Sequence, residues 1–262
     1  MTSRQSLRVE IPTQDGLKLA GILELPGAER LGTILLSHCF TCGKDLKALV
    51  KISRELSSLG WIVLRYDMRG IGGSQGDFSK SNFTTNCEDL AAAAQYLSNE
   101  YDGADFLLGH SFGGAASLAS AQTIESVLGV VALAAPSDTH HLASLLEAMN
   151  PTIMSEGSGE VTIGGSTFRI ERQMLDDFRT HDLPGILSNL EKPMLALHSP
   201  TDETVAYEHS LHNCDFANAR QRPKSPRSLI TLPECGHLLS GENDCKLVGR
   251  HIHNWCSSID VR

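Results

Sequence analysis

The sequence predicts an α/β protein whose central sheet is mostly parallel and carries helices on both faces. Continuous apolar runs, such as GTILLSHCF at residues 32–40, are typical of strands that are covered on both sides. Segments with helical periodicity separate these runs along most of the chain, which is the pattern of strand–helix–strand units. Near the N-terminus, the alternating segments SLRVEIP and LKLAGILELP flank Gln14-Asp15-Gly16, which predicts an N-terminal hairpin ahead of the parallel strands.

The remaining elements follow in a regular order. The predicted strands lie at residues 32–40, 61–70, 104–111, 128–136, 193–200 and 227–237. The predicted helices lie at residues 44–60, 86–101, 112–124 and 244–259. Because open sheets of this kind bind ligands outside the carboxyl ends of their strands, we expect the functional residues just after these strands.

One region, residues 137–190, interrupts the alternation and is interpreted as an insertion. Its segment TIGGSTFRI has two β-rich arms around Gly164-Gly165, which is a hairpin signal. The segment SEGSGE at 155–160 is a predicted loop, and helical pieces flank both segments. The insertion is too short for an independent domain, so we expect residues 1–262 to form a single domain. We expect the insertion to be a small lid, the alternative being a long connection with no role.

Composition and charge exclude several classes of protein. Hydrophobic residues make up 41% and charged residues 20% of the 262-residue chain, which allows a large buried core. The net charge of -9 argues against a nucleic-acid partner. No apolar run approaches the roughly 20 residues of a membrane helix, and the N-terminus lacks the apolar region of a signal peptide. We therefore expect a cytoplasmic protein without membrane association, whose seven cysteines are mostly reduced thiols.

The segment ADFLLGHSFGGAASLAS at residues 104–120 carries the strongest functional signal, a G-x-S-x-G sequence between a predicted strand and a predicted helix. Such a turn is tight and needs small residues on either side of the serine, which Gly109 and Gly113 provide. Ser111 would then be a strained, exposed nucleophile. The N–H of Phe112 would lie at the helix start, where the helix dipole favours an oxyanion. The alternative is a glycine-rich turn with an incidental serine.

A serine hydroxyl needs a base to become a good nucleophile, and the expected chain order is serine, acid, histidine. Asp202 and His237 each lie just beyond a predicted strand end, at the same sheet edge as Ser111. They are the predicted acid and base, although each alone would be an ordinary loop residue. Asp138, which also follows a strand, is the competing acid, and its alternative role is a cap at the entrance of the insertion.

The loop His38-Cys39-Phe40-Thr41-Cys42-Gly43 follows the strand at 32–40 and is expected to supply the second oxyanion donor, the backbone N–H of Phe40. Its two cysteines have the spacing of a redox motif, but the thioredoxin context is missing. We interpret them as a stabilising or coincidental pair. A zinc site is less favoured still, because no second C-x-x-C exists.

Two further patterns are rejected as cofactor or metal sites. The stretch RGIGGSQG at 69–76 resembles a dinucleotide loop, but Gln75 stands where a G-x-G-x-x-G beginning at Gly70 requires glycine. His251 and His253 are two positions apart on a predicted helix and face different sides. We expect no cofactor and no metal.

These motifs resemble the α/β-hydrolase superfamily over nearly the whole chain, from about Leu7 to Ile259. The stretch RYDMRGIGGSQG looks like the loop after the fourth strand of these enzymes. The segments HCFTCGKD, NFTTNCEDLAAAA, GHSFGGAA, HSPTDETV and GHLLS are similar to bacterial α/β hydrolases that are often fused ahead of an OsmC-like domain. In two respects this sequence departs from the pattern: Cys39 stands in the common H-G-x motif, and no OsmC-like segment follows.

The resemblance implies an α/β-hydrolase fold with Ser111 as nucleophile, Asp202 as acid, His237 as base, and Phe40 and Phe112 as oxyanion donors. The predicted function is that of a serine hydrolase, a carboxylesterase-like enzyme that cleaves a small-molecule acyl substrate through an acyl-enzyme intermediate. A thioesterase or small-peptide hydrolase with the same triad is an alternative, and a non-catalytic binding protein on this fold is another. No obligate protein partner is inferred.

Overall fold

The apolar runs of the sequence form the strands of the structure, a computed structural model that describes residues 4–27, 29–215, 225–241 and 243–259. The strands are β1 (Gln5–Pro12), β2 (Lys18–Leu25), β3 (Gly32–Ser37), β4 (Trp61–Tyr66), β5 (Phe106–His110), β6 (Gly129–Leu133), β7 (Ser158–Ile163), β8 (Ser166–Glu171), β9 (Met194–His198) and β10 (Arg227–Thr231). The helices are α1 (Lys47–Ser58), α2 (Phe83–Tyr101), α3 (Phe112–Ser120), α4 (His140–Met149), α5 (Thr152–Ser155), α6 (Arg172–Phe178), α7 (Leu183–Ser188), α8 (Glu208–Asp215) and α9 (Asp244–Cys256).

Within the described residues the main sheet has the strand order β1-β2-β4-β3-β5-β6-β9-β10. The predicted N-terminal hairpin is confirmed: β1 and β2 are antiparallel, and Gly16 turns the chain with a φ of 85°. Strand β2 is antiparallel to β4, and the strands from β4 through β3, β5, β6 and β9 to β10 are all parallel. Every residue of β3, β4, β5, β6 and β9 is buried, which is why their sequences are continuously apolar rather than alternating.

Helices cover both faces of the sheet, so the predicted α/β architecture is confirmed. On one face, Leu49 of α1 and Ile252 of α9 belong to the same buried apolar cluster. On the other face, Leu90 of α2 and Leu118 of α3 belong to a second cluster, which also includes Phe178 of the inserted region. Among the described residues, no helix combines the length and the apolar character that crossing a bilayer requires.

Some element boundaries differ from the prediction for local reasons. Helix α2 begins at Phe83, three residues earlier than predicted, because Asn82 and Thr85 form a capping box that satisfies two N–H groups. Helix α8, between β9 and β10, was not predicted. Its positions carry only a weak apolar pattern, so the sequence offers no periodic signal there.

The inserted region between β6 and β9 contains four helices, α4 to α7, and the two-stranded sheet β7-β8. The predicted hairpin is confirmed, with Gly164 and Gly165 at φ values of 58° and 81° in its turn. The predicted loop at 155–160 is wrong in its second half, because β7 begins at Ser158. The hairpin arms are longer than the β-rich residues indicate because the ladder continues to the pair Ser158 and Glu171.

Candidate active site

The turn between β5 and α3 holds Ser111 in a conformation that L-residues rarely adopt. Ser111 has a φ of 55° and a ψ of -124°, and its N–H donates to the carbonyl oxygen of Leu133 at 2.8 Å. Residues with such backbone angles persist only when the surrounding structure determines them, and they concentrate at functional sites. The serine is therefore fixed by the backbone at the carboxyl end of β5.

Three glycines allow this turn to form because no side chain would fit at their positions. A Cβ on Gly109 would lie 2.2 Å from the carbonyl oxygen of Gly113, and one on Gly113 would lie 2.3 Å from the carbonyl oxygen of His38. A Cβ on Gly114 would lie 2.5 Å from the Cβ of Ala135. Helix α3 and the loop after β3 are therefore in direct contact through their backbones.

The three residues predicted as nucleophile, base and acid lie in one hydrogen-bonded row. The Nε2 atom of His237 is 3.0 Å from the Oγ atom of Ser111, and its Nδ1 atom is 2.7 Å from Oδ2 of Asp202. Because a carboxylate only accepts hydrogen bonds, Nδ1 carries the proton and Nε2 is left to accept from the serine hydroxyl. The side chains of His237 and Asp202 are only 8% and 1% exposed, so water competes little for these contacts.

Asp202 is held by more groups than His237 alone. Its Oδ1 atom accepts the N–H groups of Thr204 at 2.8 Å and Val205 at 3.0 Å, and its Oδ2 atom also lies 3.2 Å from Nε2 of His198. Burial by itself would raise the pKa of Asp202, but the hydrogen bonds from His198, His237 and the Val205 backbone outweigh it and hold the pKa far below its usual value. The carboxyl group is therefore an anion of fixed orientation.

His198 was missed by sequence reasoning, although it ends β9 four residues before the acid. It is fully buried, and its Nδ1 atom lies 2.8 Å from the hydroxyl of Ser210. Its Nε2 atom faces two acceptors, Asp202 and the carbonyl oxygen of Val205, so it carries a proton. His198 and His237 thus both donate to the same oxygen of Asp202, Oδ2.

His110, the residue before Ser111, connects the turn between β5 and α3 to His237. Its Nε2–H donates to the carbonyl oxygen of His237 at 2.9 Å, and the two rings lie 4.9 Å apart. Burial lowers the pKa of His110 to about 3, so its ring is neutral near pH 7. His110 lies within the G-x-S-x-G motif of the sequence. Its contact with His237, however, joins two residues that are distant along the chain, so the sequence did not predict it.

Side chains as well as backbone hydrogen bonds fix the loop after β3. Cys39 and Cys42 form a disulfide with Cα atoms 5.3 Å apart, and Nε2 of the buried His38 accepts the N–H of Met68 at 3.0 Å. The expectation of mostly reduced cysteines is wrong for this pair. Cys87, Cys235, Cys245 and Cys256 are free thiols.

Phe40 and Phe112, the predicted oxyanion donors, are in contact through their rings, whose centroids lie 5.5 Å apart. The N–H of Phe112 is the first of α3, where a helix has no internal acceptor for it. The ring centroid of Phe178 in α6 lies 5.9 Å from that of Phe40 and 5.1 Å from that of Phe112. The inserted region therefore packs against these two rings. Its role as a lid stays a prediction.

Asp138, the competing acid, has different partners. Its Oδ1 atom accepts the N–H of His141 in the first turn of α4 at 3.0 Å, and the Nδ1 atom of His141 lies 3.6 Å from the same oxygen. The hydrogen bond from the His141 side chain, opposed by partial burial, is the main reason that the pKa of Asp138 lies below its usual value. The contact corresponds to a cap at the entrance of the inserted region.

Comparisons with known proteins match this chain both to a family model and to solved structures. A family model described as serine aminopeptidase, S33, matches residues 29–156. The esterase domain of a Rhodothermus marinus protein is 34% identical over 97% of this chain and 99% of that one, with a TM-score of 0.77. No curated protein gives a significant match.

Two more distant solved structures share the fold. Est1E from Butyrivibrio proteoclasticus, solved with ferulic acid, is 21% identical over 96% of this chain and 98% of that one, with a TM-score of 0.81. An esterase of Pyrococcus furiosus is 17% identical over 98% of this chain and 92% of that one, with a TM-score of 0.71. At these identities, the likeness concerns the fold alone.

Proposed function

This chain belongs to the α/β hydrolases, and on that premise we propose that it is a serine hydrolase that cleaves acyl esters. The observation that carries the proposal is the row of contacts from Ser111 through His237 to Asp202, with distances of 3.0 and 2.7 Å. A nucleophile, a base and an orienting acid within hydrogen-bond reach are the parts that acyl transfer requires.

In the proposed mechanism, Ser111 Oγ attacks the acyl carbonyl carbon while Nε2 of His237 takes the hydroxyl proton. Asp202 holds the imidazole in the tautomer that accepts this proton and stabilises the cation that forms. His237 then gives the proton to the leaving alcohol, which departs as the acyl-enzyme forms. Water, activated by the same imidazole, hydrolyses the acyl-enzyme and restores the serine.

The negative charge that develops on the carbonyl oxygen needs two hydrogen-bond donors. We assign these to the backbone N–H groups of Phe112 and Phe40. Support for Phe112 is its position as the first residue of α3, where the helix dipole also favours an anion. Loss of one such donor typically costs about 10²–10³ in rate.

An ester substrate is favoured over a peptide because the 34% identical relative is an esterase domain. The description of the family model as a serine aminopeptidase favours the second candidate, a hydrolase of small peptides with the same triad. A panel of p-nitrophenyl esters with increasing chain length, assayed beside aminoacyl anilides, separates the two. A thioesterase would use the same residues and is tested by adding acyl thioesters to the panel.

The test of the catalytic proposal is labelling by a fluorophosphonate probe together with hydrolysis of p-nitrophenyl acetate. Wild-type protein should be labelled and active, whereas Ser111→Ala should be unlabelled and slower by about 10⁶ in kcat. Ser58→Ala, at an exposed serine of α1, is the matched control and should behave as wild type. Turnover by Ser111→Ala at the wild-type rate would refute the assignment, and an unlabelled, inactive wild type would favour a binding protein.

The cytoplasmic location expected from the N-terminal sequence belongs to the same proposal. The free thiols of Cys87, Cys235, Cys245 and Cys256 agree with a reducing compartment, and the Cys39–Cys42 disulfide is the exception. Alkylation of unreduced protein from the source cells, followed by mass spectrometry of these cysteines, would test both points.

A further inference from the structure

A second group of ionisable side chains lies at the carboxyl edge of the sheet, separate from Ser111 and its partners. It consists of Asp138 after β6, His141 in the first turn of α4, and His209 in the first turn of α8. Each residue offers one ligand atom, and these three atoms all lie within 4.8 Å of one another. All three residues are half-buried, so the group is neither a solvated surface patch nor part of the closed core.

The separations are close to those of a metal site. Zinc bonds of about 2.0–2.2 Å to histidine nitrogen and carboxylate oxygen place tetrahedral ligand atoms roughly 3.4 Å apart. Here the Nδ1 atom of His141 is 3.6 Å from Oδ1 of Asp138, and the rings of His141 and His209 lie 5.0 Å apart at 45°. To share one ion, the three ligand atoms would have to move closer together than the 4.8 Å that encloses them here.

Polar groups contact both imidazoles, and a histidine that binds a metal usually donates its other ring N–H to such a group. For His209 that group would be the hydroxyl of Ser137, 2.9 Å from Nδ1, which leaves Nε2 for the ion, and the backbone N–H of Ser137, which donates to the same nitrogen at 3.1 Å, would lose this acceptor. The Nδ1 atom of His141 lies 3.1 Å from the carbonyl oxygen of Asp138, and binding of an ion through this nitrogen would break that contact. An open cleft lined by His140, Arg179 and His181 reaches Asp138 and leaves an entry path for an ion.

Some of the surrounding charges disfavour a cation at this group, and others favour it. Both α4 and α8 begin at this group, and the partial positive charge of a helix N-terminus disfavours a cation. The carboxylate of Asp138 carries a full negative charge and is in direct reach, so it outweighs two partial charges. Asp138 is thus the residue of the three that supplies negative charge to the group.

We propose that Asp138, His141 and His209 bind one divalent transition-metal ion, with Zn²⁺ as the favoured ion. Two imidazole nitrogens and one carboxylate oxygen are a typical zinc donor set, with a fourth position left for water. The ion would tie the inserted region, through α4, to α8, which follows the Asp202 loop. The proposal rests on the geometry of this group and not on the proposed hydrolase activity.

The experiment is isothermal titration of EDTA-treated, dialysed full-length protein with ZnCl₂. Wild type should bind one ion per chain, and His141→Ala and His209→Ala should each weaken binding at least about tenfold. His140→Ala and His212→Ala are the matched controls, because they remove the neighbouring exposed imidazole of the same helix in each case, and both should bind as wild type. Visible absorption of bound Co²⁺ should follow the same pattern.

Absence of binding by the wild type would overturn the proposal, as would equal binding by wild type, His141→Ala and His209→Ala. Asp138→Asn, which keeps the size of the side chain, gives the same test if an alanine variant fails to fold, and circular dichroism in EDTA identifies that case. Ser111→Ala should bind Zn²⁺ as wild type does. Zinc binding and ester hydrolysis can therefore fail separately.

Discussion

Two aspartates at the carboxyl edge of the sheet each lie beside two histidines, but only one of them is aligned with a nucleophile. We call Asp202 with His198 and His237 the Asp202 cluster, and Asp138 with His141 and His209 the Asp138 cluster. The Asp202 side chain is 1% exposed and the Asp138 side chain is 34% exposed. The residue types are the same, so the difference between the clusters lies in burial and connectivity.

Each cluster joins a local pair to one distant residue: His198 and Asp202 are four residues apart and meet His237, and Asp138 and His141 are three residues apart and meet His209. Both oxygens of Asp202 accept hydrogen bonds, Oδ2 from the imidazoles of His198 and His237 and Oδ1 from two backbone N–H groups, which fixes the carboxylate and hence the ring of His237. Asp138 accepts one backbone N–H, that of His141, and lines an open cleft. A buried, fixed carboxylate suits an orienting role in catalysis, and a half-exposed one suits a ligand that arrives from solvent.

The largest expected effect separates the two acids by activity. Asp202→Asn should lower kcat by about 10⁴, because the wrong tautomer of His237 would face Ser111. Asp138→Asn should cause only a mild loss, since its carboxylate contacts His141 rather than His237. Ester hydrolysis measured in EDTA checks this, and the reverse ranking would move the catalytic acid to Asp138.

The second expected effect separates them by stability. Asp202→Ala should lower the free energy of unfolding by about 3 kcal/mol, because it leaves the Nδ1–H of His237 and the N–H of the buried Val205 without their acceptor. Asp138→Ala removes a partly solvated contact and should cost less than about 1 kcal/mol. Urea unfolding at pH 7 measures both, and equal losses would contradict the contrast in burial.

A smaller effect concerns His198, which we expect to act through Asp202 as a positioning residue. His198→Ala should lower kcat about tenfold with KM unchanged, because the acid loses one of its two imidazole donors. His198→Gln places an amide N–H near the Nε2 position and should restore part of kcat. Steady-state kinetics of both variants decide this, and a loss that appears in KM would indicate a role in substrate binding instead.

The smallest expected effect is on acid stability. Both carboxyl groups have a pKa below the unfolded value of about 3.9, so their stabilisation is complete above that pH and is lost as the pH falls towards the folded pKa. The free energy of unfolding should therefore decrease below about pH 4. Asp202→Asn should flatten this decrease more than Asp138→Asn, and urea unfolding between pH 5 and pH 3 provides the comparison.

Local sequence patterns were sufficient for much of the fold and for three residues of the candidate site. A strand that is buried on both faces is mostly apolar, so β3, β4, β5, β6 and β9 could be predicted from their apolar runs. The turn at Ser111 admits only glycine at Gly109 and Gly113, so its motif is equally local. The ends of parallel strands meet at one edge, which allowed Asp202 and His237 to be predicted as neighbours of Ser111.

The sequence by itself therefore determined the order of strands and helices, the nucleophile turn and the choice of acid and base to test. Only the tertiary structure decided that His198 and His110 support them, that Cys39 and Cys42 are joined, and that Asp138 meets His209. These contacts depend on which side chains are buried together and on the rotamers they adopt. Neither property repeats with a regular period along the chain, so no local sequence pattern predicts it.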